Sequence, residues 1–168
     1  MIYFCLQEIC DDGDGIMDLK FKSRDTFYIC GYFAETSLDT CNKDLSELWH
    51  EFEAGKEELY QVFGHRNDFY GLMWYTENHR YCYLIGIKAD NVNAAPAGVL
   101  CKRVPGTDYA IACVPPAMSA VDAWTEYFEK ILPKAGYIPN AGHGLNFEYY
   151  PEGSGGAYEL WTPVIKGD

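Results

Sequence analysis

Apolar and polar residues follow one another along the chain in blocks whose periods predict strands and helices. Met1–Ile9 alternates in the manner of a strand, and Phe27–Phe33 is β-branched and aromatic, which predicts another strand. A helix is predicted after it, because apolar residues then recur at helical spacing: Leu45, Leu48, Trp49, Phe52, Leu59 and Val62.

The start of this helix and the hairpin that follows it have local signals of their own. Asp44 is the expected N-cap, with Glu47 three residues later as its capping-box partner. Two strand-like runs, Phe69–Tyr75 and Tyr81–Ile87, follow the helix, and the polar link Thr76–Arg80 between them suits a hairpin.

The second half of the chain shows the same succession of patterns. A strand is predicted over Thr107–Val114, and a helix over about 120–135. Two final strands are predicted, Leu145–Tyr150 and Tyr158–Ile165, with the glycine-rich turn Pro151–Gly156 between them.

The two halves also share short motifs. Trp49-His-Glu-Phe52 matches Trp124-Thr-Glu-Tyr127 near the middle of each helix. We therefore expect one domain over residues 1–168, built from pseudo-repeats at about 24–90 and 104–166. The predicted fold is α+β: duplicated β-α-β-β units form one curved antiparallel sheet, with two helices on one face and a ligand cleft between the halves.

Charge and aromatic content narrow the choice of partners. The chain has 25 acidic and 13 basic side chains and a formal net charge of −12 at pH 7, so its surface repels nucleic-acid phosphates. We therefore expect no direct nucleic-acid partner. Aromatic residues make up 16% of the chain, and 14 residues are tyrosine. This surplus predicts either a half-polar pocket or interface, or simply an aromatic core.

The seven cysteines show no pattern of their own. Their number is odd, no CxxC is present, and no pair has zinc-like spacing with a histidine. The sequence has no run of 18 apolar residues and no signal-peptide pattern. We therefore expect reduced thiols and a soluble, cytoplasmic protein without a membrane partner.

Motifs for metals and cofactors are missing as well. The stretch Cys10–Gly15 is rich in Asp and Gly, but read as an EF-hand it would place Cys10 and Phe21 where carboxylates are required. No HExxH, GxSxG or P-loop pattern occurs. No metal or cofactor is predicted.

Several ordered segments resemble one family. The terminal strand Tyr158-Glu-Leu-Trp-Thr-Pro-Val164 is the most specific of them, and together the segments cover roughly residues 1–166. The chain is similar to the GyrI-like small-molecule-binding domains, also called AraC-type or bacterial transcription activator effector-binding domains. The other segments that carry the resemblance are Ile29-Cys-Gly31 before the Leu48-Trp49 helix, Tyr83-Leu-Ile-Gly-Ile87, Val104-Pro-Gly-Thr-Asp-Tyr-Ala110 and Phe147-Glu-Tyr-Tyr150.

This resemblance implies a duplicated β-α-β-β fold with a ligand pocket between its halves. In the family, aromatic side chains line the pocket, and a buried carboxylate from the last strand meets cationic lipophilic compounds. Here that carboxylate maps onto Glu159. Many relatives also carry a helix-turn-helix module; this chain has no room for one, so it is expected to be a stand-alone member.

Strand geometry gives Glu159 a further reason for its place. Side chains alternate along a strand, so Glu159, Trp161 and Pro163 share one face of the sheet. If the alternate residues of this strand pack on the helices, the face with Glu159 is the one without helices. A buried carboxylate needs a partner, and a ligand cation between aromatic rings would supply one. The alternatives are a surface position on an edge strand or a hydrogen bond with a tyrosine.

The expected ligand-binding companions of Glu159 are aromatic. They are Trp161, Trp74, Tyr83, Tyr149 and Phe147. Trp74 and Tyr149 occupy equivalent places in the two repeats, which predicts that they face each other across the pseudo-axis. Core packing is the alternative for each aromatic, and above all for Phe147.

Three functions are compatible with these features. The first is binding of hydrophobic, cationic small molecules, for sensing or for sequestration in drug or toxin resistance. The second is hydrolysis of reactive lipophilic compounds, in which Glu159 activates water and Tyr83 or Tyr149 donates a proton. The third is inhibition of a DNA-binding partner by the acidic surface. The lack of a catalytic motif favours binding.

Overall fold

The computed structural model describes most of the chain and leaves out its beginning. The described residues are 17–37, 39–78, 80–140, 142–143 and 145–167. The predicted strand Met1–Ile9 and the turn Cys10–Gly15 lie outside them.

The first half contains four strands and one long helix. They are β1 (Leu19–Arg24), β2 (Phe27–Thr36), α1 (Cys41–Phe63), β3 (Phe69–Tyr75) and β4 (Tyr81–Ala89).

The second half repeats the order strand, strand, helix, strand, strand, and adds a 3-10 turn at its start and a short strand after its helix. Its elements are a 3-10 turn (Val92–Ala94), β5 (Leu100–Val104), β6 (Thr107–Val114), α2 (Ala120–Glu126), a π-helical segment (Tyr127–Ile131), a last helical turn (Leu132–Lys134), β7 (Tyr137–Pro139), β8 (Asn146–Tyr150) and β9 (Tyr158–Lys166). The helix predicted over 120–135 is therefore present, but its middle turn is wider than an α-helical turn.

The described strands form one open antiparallel sheet. Its order is β1-β6-β9-β8-β3-β4-β2-β5, and β7 pairs with the end of β9. This order is symmetrical, because β6, β9 and β8 on one side match β2, β4 and β3 on the other. At the centre, Leu72 of β3 stands directly opposite Phe147 of β8. The predicted α+β fold class is confirmed, whereas an origin by duplication stays a prediction.

Both helices lie on the same face of this sheet, the helix face. α1 packs on Ile85 of β4, and α2 packs on Ala110 of β6 and Leu160 of β9. The opposite, helix-free face is strongly curved. The ring centroids of Phe27 on β2 and Phe147 on β8 are only 5.9 Å apart, although β3 and β4 separate these strands.

The start of α1 differs from the expectation. Thr40 occupies the N-cap and the helix begins at Cys41, so the predicted capping box of Asp44 and Glu47 is wrong. The Asp44 carboxylate lies in the first turn and accepts hydrogen bonds from the hydroxyls of Thr36 (2.6 Å) and Thr40 (2.7 Å). It therefore ties the end of β2 to the helix. These two hydrogen bonds, that of Thr36 first, lower the pKa of Asp44.

Three strands were not predicted from the sequence, because two carry several charged residues and the third is very short. β1 reads Leu-Lys-Phe-Lys-Ser-Arg and β5 reads Leu-Cys-Lys-Arg-Val, and both lie at the edges of the sheet. Charged side chains are typical of edge strands, where they oppose pairing with other chains. β7 is only three residues long and ends in proline.

The expectation that all thiols are reduced is wrong at one pair. Cys30 of β2 and Cys101 of β5 stand opposite each other, with their Cα atoms 4.1 Å apart, and form a disulfide. Seventy-one positions separate them in sequence, so a search for local cysteine motifs could not find the pair. The expected cytoplasmic location therefore stays a prediction without this support.

No helix in the described part of the chain combines the length and the apolar character needed to cross a bilayer.

Candidate functional site

Two carboxylates lie in neighbouring central strands and point to opposite faces of the sheet. Glu148 belongs to β8 and is directly opposite Leu160 of β9, which packs against α2. Glu159 is directly opposite Tyr149, one position further along β8. Because side chains alternate along a strand, Glu148 lies on the helix face and Glu159 on the helix-free face.

The Glu148 carboxylate is almost completely buried and has three hydrogen-bond donors. Its side chain is 3% exposed. The hydroxyls of Tyr83 and Tyr150 each donate to Oε2 over 2.6 Å, and the indole Nε1 of Trp124 donates to Oε1 over 2.9 Å. All three donors are neutral. Among the described residues, no Lys, Arg or His nitrogen lies within 4 Å of this carboxylate.

Aromatic rings from α1, β3 and β9 surround Tyr150, which lies two positions after Glu148 on the helix face. Trp49 of α1 meets the Tyr150 ring edge-on at 6.0 Å, and Phe69 of β3 and Tyr158 of β9 stack on it at 4.7 and 5.2 Å. Trp49 of α1 and Trp124 of α2 therefore both reach β8. The aromatic region between the two helices, with Glu148 at its base, is here called the helix groove.

Local sequence features hold these side chains in place. Gly71 of β3 stands directly opposite Glu148, and a Cβ atom there would overlap the Tyr83 hydroxyl. Glycine is thus required for Tyr83 to reach the carboxylate. The Ser119 hydroxyl caps α2 by accepting from the amide of Asp122 (3.1 Å), which fixes the helical turn that carries Trp124.

The tyrosines of the helix groove stay protonated at neutral pH. Burial is the first cause that raises the pKa of Tyr83, Tyr150 and Tyr81, and the Glu148 carboxylate is the second. Protonated phenols can only donate to a carboxylate. The groove therefore offers an acidic acceptor, neutral donors and aromatic faces.

Glu159, the carboxylate expected from the sequence, has different surroundings. It is half-buried and accepts a 2.7 Å hydrogen bond from Nε1 of Trp161. Burial raises its pKa, while the Trp161 hydrogen bond and the positive charges of Lys22 and Arg24 oppose that shift. Positive charge from the chain itself is therefore already present near Glu159.

The other predicted site residues are divided between the two faces. Trp161 and Phe147 are buried on the helix-free face with their rings stacked 5.2 Å apart. Tyr83 lies on the helix face with Glu148, because it alternates with Leu84 of the helix-free core. The expected grouping of Tyr83 with Glu159 is therefore wrong.

Trp74 and Tyr149 share the helix-free face but do not face each other. Tyr149 stands opposite Tyr70, with ring centroids 4.8 Å apart, and its hydroxyl donates to Asp68 (3.1 Å). The Trp74 ring instead lies 4.3 Å from Nζ of Lys102. Leu72 and Phe147 stand directly opposite each other at the centre of the sheet, and Trp74 and Tyr149 lie on either side of this pair.

Sequence reasoning missed the central residues of the helix groove, although signals for them exist. Glu148 interrupts the aromatic run Phe147–Tyr150, as Glu159 interrupts the terminal strand. Trp49 and Trp124 had marked the repeat, and both reach β8. In the described part of the chain, no cluster of three His, Cys, Asp or Glu side chains is suited to a metal ion.

Comparisons with known proteins agree with this architecture. A model of the family Cass2, integron-associated effector binding protein, matches residues 20–164. The comparison with curated protein sequences gives no match.

Solved structures show the same fold at low sequence identity. The structure of SAV2435 bound to tetraphenylphosphonium has a TM-score of 0.70 and 16% identity, and the match covers 89% of this chain and 94% of that one. An integron cassette protein from the mobile metagenome of Vibrio cholerae has a TM-score of 0.61 and 18% identity, and the match covers 88% of this chain and 95% of that one. For a putative bacterial transcription regulation protein from Staphylococcus aureus MU50, the TM-score is 0.66 and the identity 17%, and the match covers 90% of this chain and 99% of that one. At such identities the likeness shows the fold alone.

Proposed function

The chain belongs to the family of integron-associated effector-binding proteins, and on this premise we propose that it binds hydrophobic, cationic small molecules in the helix groove. Glu148 supplies the negative charge that the ligand meets. The observation that carries the proposal is the buried Glu148 carboxylate, which has neutral donors and aromatic neighbours but no cation within 4 Å among the described residues.

The physical argument starts from the cost of burying a charge. Moving a carboxylate out of water is unfavourable, and neutral hydrogen bonds compensate for only part of that cost. A cation placed beside Glu148 would add charge pairing at low dielectric. The rings of Trp49, Trp124 and Tyr150 would add cation–π attraction and apolar contact. A ligand that is both hydrophobic and positively charged would make all of these interactions.

A structural relative supports the same class of ligand. SAV2435 was solved with tetraphenylphosphonium, a cation whose charge is surrounded by four phenyl groups. A protein that binds such compounds reversibly lowers their free concentration or responds to their presence. We propose sequestration or sensing of this kind, in the service of resistance to drugs or toxins.

A titration with tetraphenylphosphonium tests the proposal. We expect Glu148→Gln to weaken binding at least tenfold, which corresponds to about 1.4 kcal/mol, because glutamine keeps the shape but loses the charge. Glu159→Gln is the matched control and should bind like the wild type. Triphenylphosphine oxide, which has three phenyl groups and no net charge, should bind wild type and Glu148→Gln equally.

Each outcome of this titration has a defined meaning. Equal affinities of wild type and Glu148→Gln for tetraphenylphosphonium would contradict the role of Glu148. A loss of affinity confined to Glu159→Gln would instead place the ligand on the helix-free face, as the sequence alone predicted.

Hydrolysis of reactive lipophilic compounds is the second candidate, and one observation favours it. The Tyr83 hydroxyl lies 2.6 Å from Glu148, so a general base and a proton donor stand together in the helix groove. In this version Glu148 takes the role that the sequence suggested for Glu159. Product formation from an electrophilic lipophilic substrate, lost in both Glu148→Gln and Tyr83→Phe, would support it.

A further inference from the structure

Three tyrosines on the helix face form a row that leads away from Glu148. Tyr83 and Tyr81 alternate along β4 and therefore point to the same face, and Tyr75 of β3 stands directly opposite Tyr81. The ring centroids of Tyr83 and Tyr81 are 6.4 Å apart, and those of Tyr81 and Tyr75 are 5.6 Å apart. The Tyr83 hydroxyl donates to Glu148 (2.6 Å), so this tyrosine row connects the buried carboxylate with the end of the β3–β4 hairpin.

Exposure increases along the tyrosine row. Tyr83 is 4% exposed, Tyr81 is half-buried, and Tyr75 is 71% exposed. Single exposed apolar residues are common on protein surfaces, but Tyr75 continues an aromatic series that begins at the proposed binding site. Among the described residues, Tyr81 provides the one aromatic ring packed against Tyr75. Most of the Tyr75 ring is therefore accessible to a ligand.

The hairpin turn fixes the outer end of the tyrosine row. The amide of Thr76 donates to the carbonyl of Arg80 (2.8 Å), and the amide of Arg80 donates to the hydroxyl of Thr76 (3.2 Å). These hydrogen bonds close the hairpin directly after the pair formed by Tyr75 and Tyr81. The backbone that carries the two rings is therefore ordered before a ligand binds, which lowers the entropic cost of binding.

The charges along the tyrosine row favour a cation at its inner end. Burial and, second, the Glu148 carboxylate raise the pKa of Tyr81, so the charge of Glu148 acts on this ring. At the outer end, the guanidinium of Arg80 is bound by Glu35 (2.9 Å). Glu35 lies on the helix-free face, because it precedes Thr36, which stands directly opposite Tyr81. The outer rings therefore offer neutral aromatic surface.

We propose that Tyr81 and Tyr75 form an outer subsite of the helix groove, for an aromatic group that a flexible tether joins to the cationic centre. The cation pairs with Glu148, and the tether follows the tyrosine row until the second aromatic group packs against the two outer rings. This inference rests on the proposed function and narrows its ligand class. The ligands that fit both parts are elongated, with a single positive charge at one end and an aromatic ring at the other.

Two phosphonium ions that differ only in their last group test the subsite. They are hexyltriphenylphosphonium and phenylhexyltriphenylphosphonium, each titrated into the full chain by calorimetry. We expect the terminal phenyl group to raise the affinity for wild type about fivefold, the order of magnitude of one aromatic contact. Tyr75→Ala should lose most of this gain, whereas Tyr75→Phe should keep it, because phenylalanine retains the ring. Tyr28→Ala is the matched control and should keep the gain, since Tyr28 is an exposed tyrosine at the opposite end of β2 from Thr36.

The inference is overturned if the terminal phenyl group adds no affinity in wild type, or if its gain survives in Tyr75→Ala. It is also overturned if Tyr28→Ala abolishes the gain as fully, because a general loss of aromatic surface would then explain the effect. In these cases the phosphonium ions would still bind Glu148→Gln more weakly than wild type, and the proposed function would stand. Equal binding of all the phosphonium ions to Glu148→Gln and wild type would overturn the proposed function, and the subsite with it.

Discussion

The indole of Trp124, on the helix α2, donates a 2.9 Å hydrogen bond to the carboxylate of Glu148, in the middle of the sheet. The helix is thereby attached to the one buried acidic group among the described residues. A ligand cation that pairs with Glu148 competes with this hydrogen bond for the carboxylate oxygen, even where the indole ring stays in contact with the ligand. The same bond therefore stabilises the protein without ligand and opposes binding.

Trp124→Phe should separate these two effects. Phenylalanine keeps a ring against the groove but removes the donor, which leaves one oxygen of a buried carboxylate without its partner. We expect the free energy of unfolding to fall by about 1–3 kcal/mol, while tetraphenylphosphonium affinity stays equal or rises. Urea unfolding and a titration measure the two quantities. Trp49→Phe removes an indole of the same groove that does not bond Glu148, and a loss of stability as large as that of Trp124→Phe would contradict the argument.

Gly71→Ala should disturb the same carboxylate from the other side. The added Cβ would overlap the Tyr83 hydroxyl and lie 3.1 Å from Oε2 of Glu148. We expect a loss of about 1–3 kcal/mol in unfolding free energy, measured by chemical denaturation. Gly142→Ala is the matched control, since its nearest neighbour would be 3.4 Å away, and it should be close to neutral. Equal stabilities of the two variants would show that Tyr83 can move away without cost.

Glu159→Gln should change the pH dependence of stability. Burial raises the pKa of Glu159 in the folded protein, so the folded state binds a proton more tightly than the unfolded chain. Stability from this group is complete below the unfolded pKa of about 4 and falls as the pH rises through the folded pKa. The glutamine variant should gain stability relative to wild type as the pH rises above the unfolded pKa of about 4. Parallel unfolding curves at all pH values would refute this.

Reduction of the disulfide between Cys30 and Cys101 should lower stability. It closes a long loop across 71 positions, and disulfides of this type contribute about 2–4 kcal/mol. We expect urea unfolding in the presence of a reductant to shift by that amount. The double variant Cys30→Ala, Cys101→Ala provides the control, because a reductant should leave its unfolding curve unchanged. Sensitivity of that variant to the reductant would assign the effect to other groups.

Elements with a clear period could be predicted closely. β6 spans Thr107–Val114, the bounds expected from its apolar run, and β3 spans Phe69–Tyr75 as expected. The edge strands β1 and β5 could not be recognised in the same way, because charged side chains interrupt their pattern. Their pairing depends on strands from the other half of the chain, which no local window contains.

The central carboxylate shows why site prediction is harder than fold prediction. Glu148 and Glu159 both interrupt aromatic strands. Alternation along the last strand predicts that Glu159 points to the helix-free face, and the structure places it there. The choice between them depends on the register of β8 against β3 and on which residue of β8 the Trp124 side chain reaches. Those relationships place Trp124 and Tyr83 around Glu148, and they arise from packing between distant segments.

The edge strands also have a consequence for folding. β1 precedes β2 in the chain but pairs with β6, and β5 precedes β6 but pairs with β2. Each half therefore contributes one edge strand to the part of the sheet formed by the other half, as in a domain swap within one chain. A fragment that ends between β4 and β5 would lack β5, the edge partner of β2. It would also keep β1 without its partner β6. We expect such halves to fold only when mixed, and the intact chain to fold slowly because its decisive contacts are long-range.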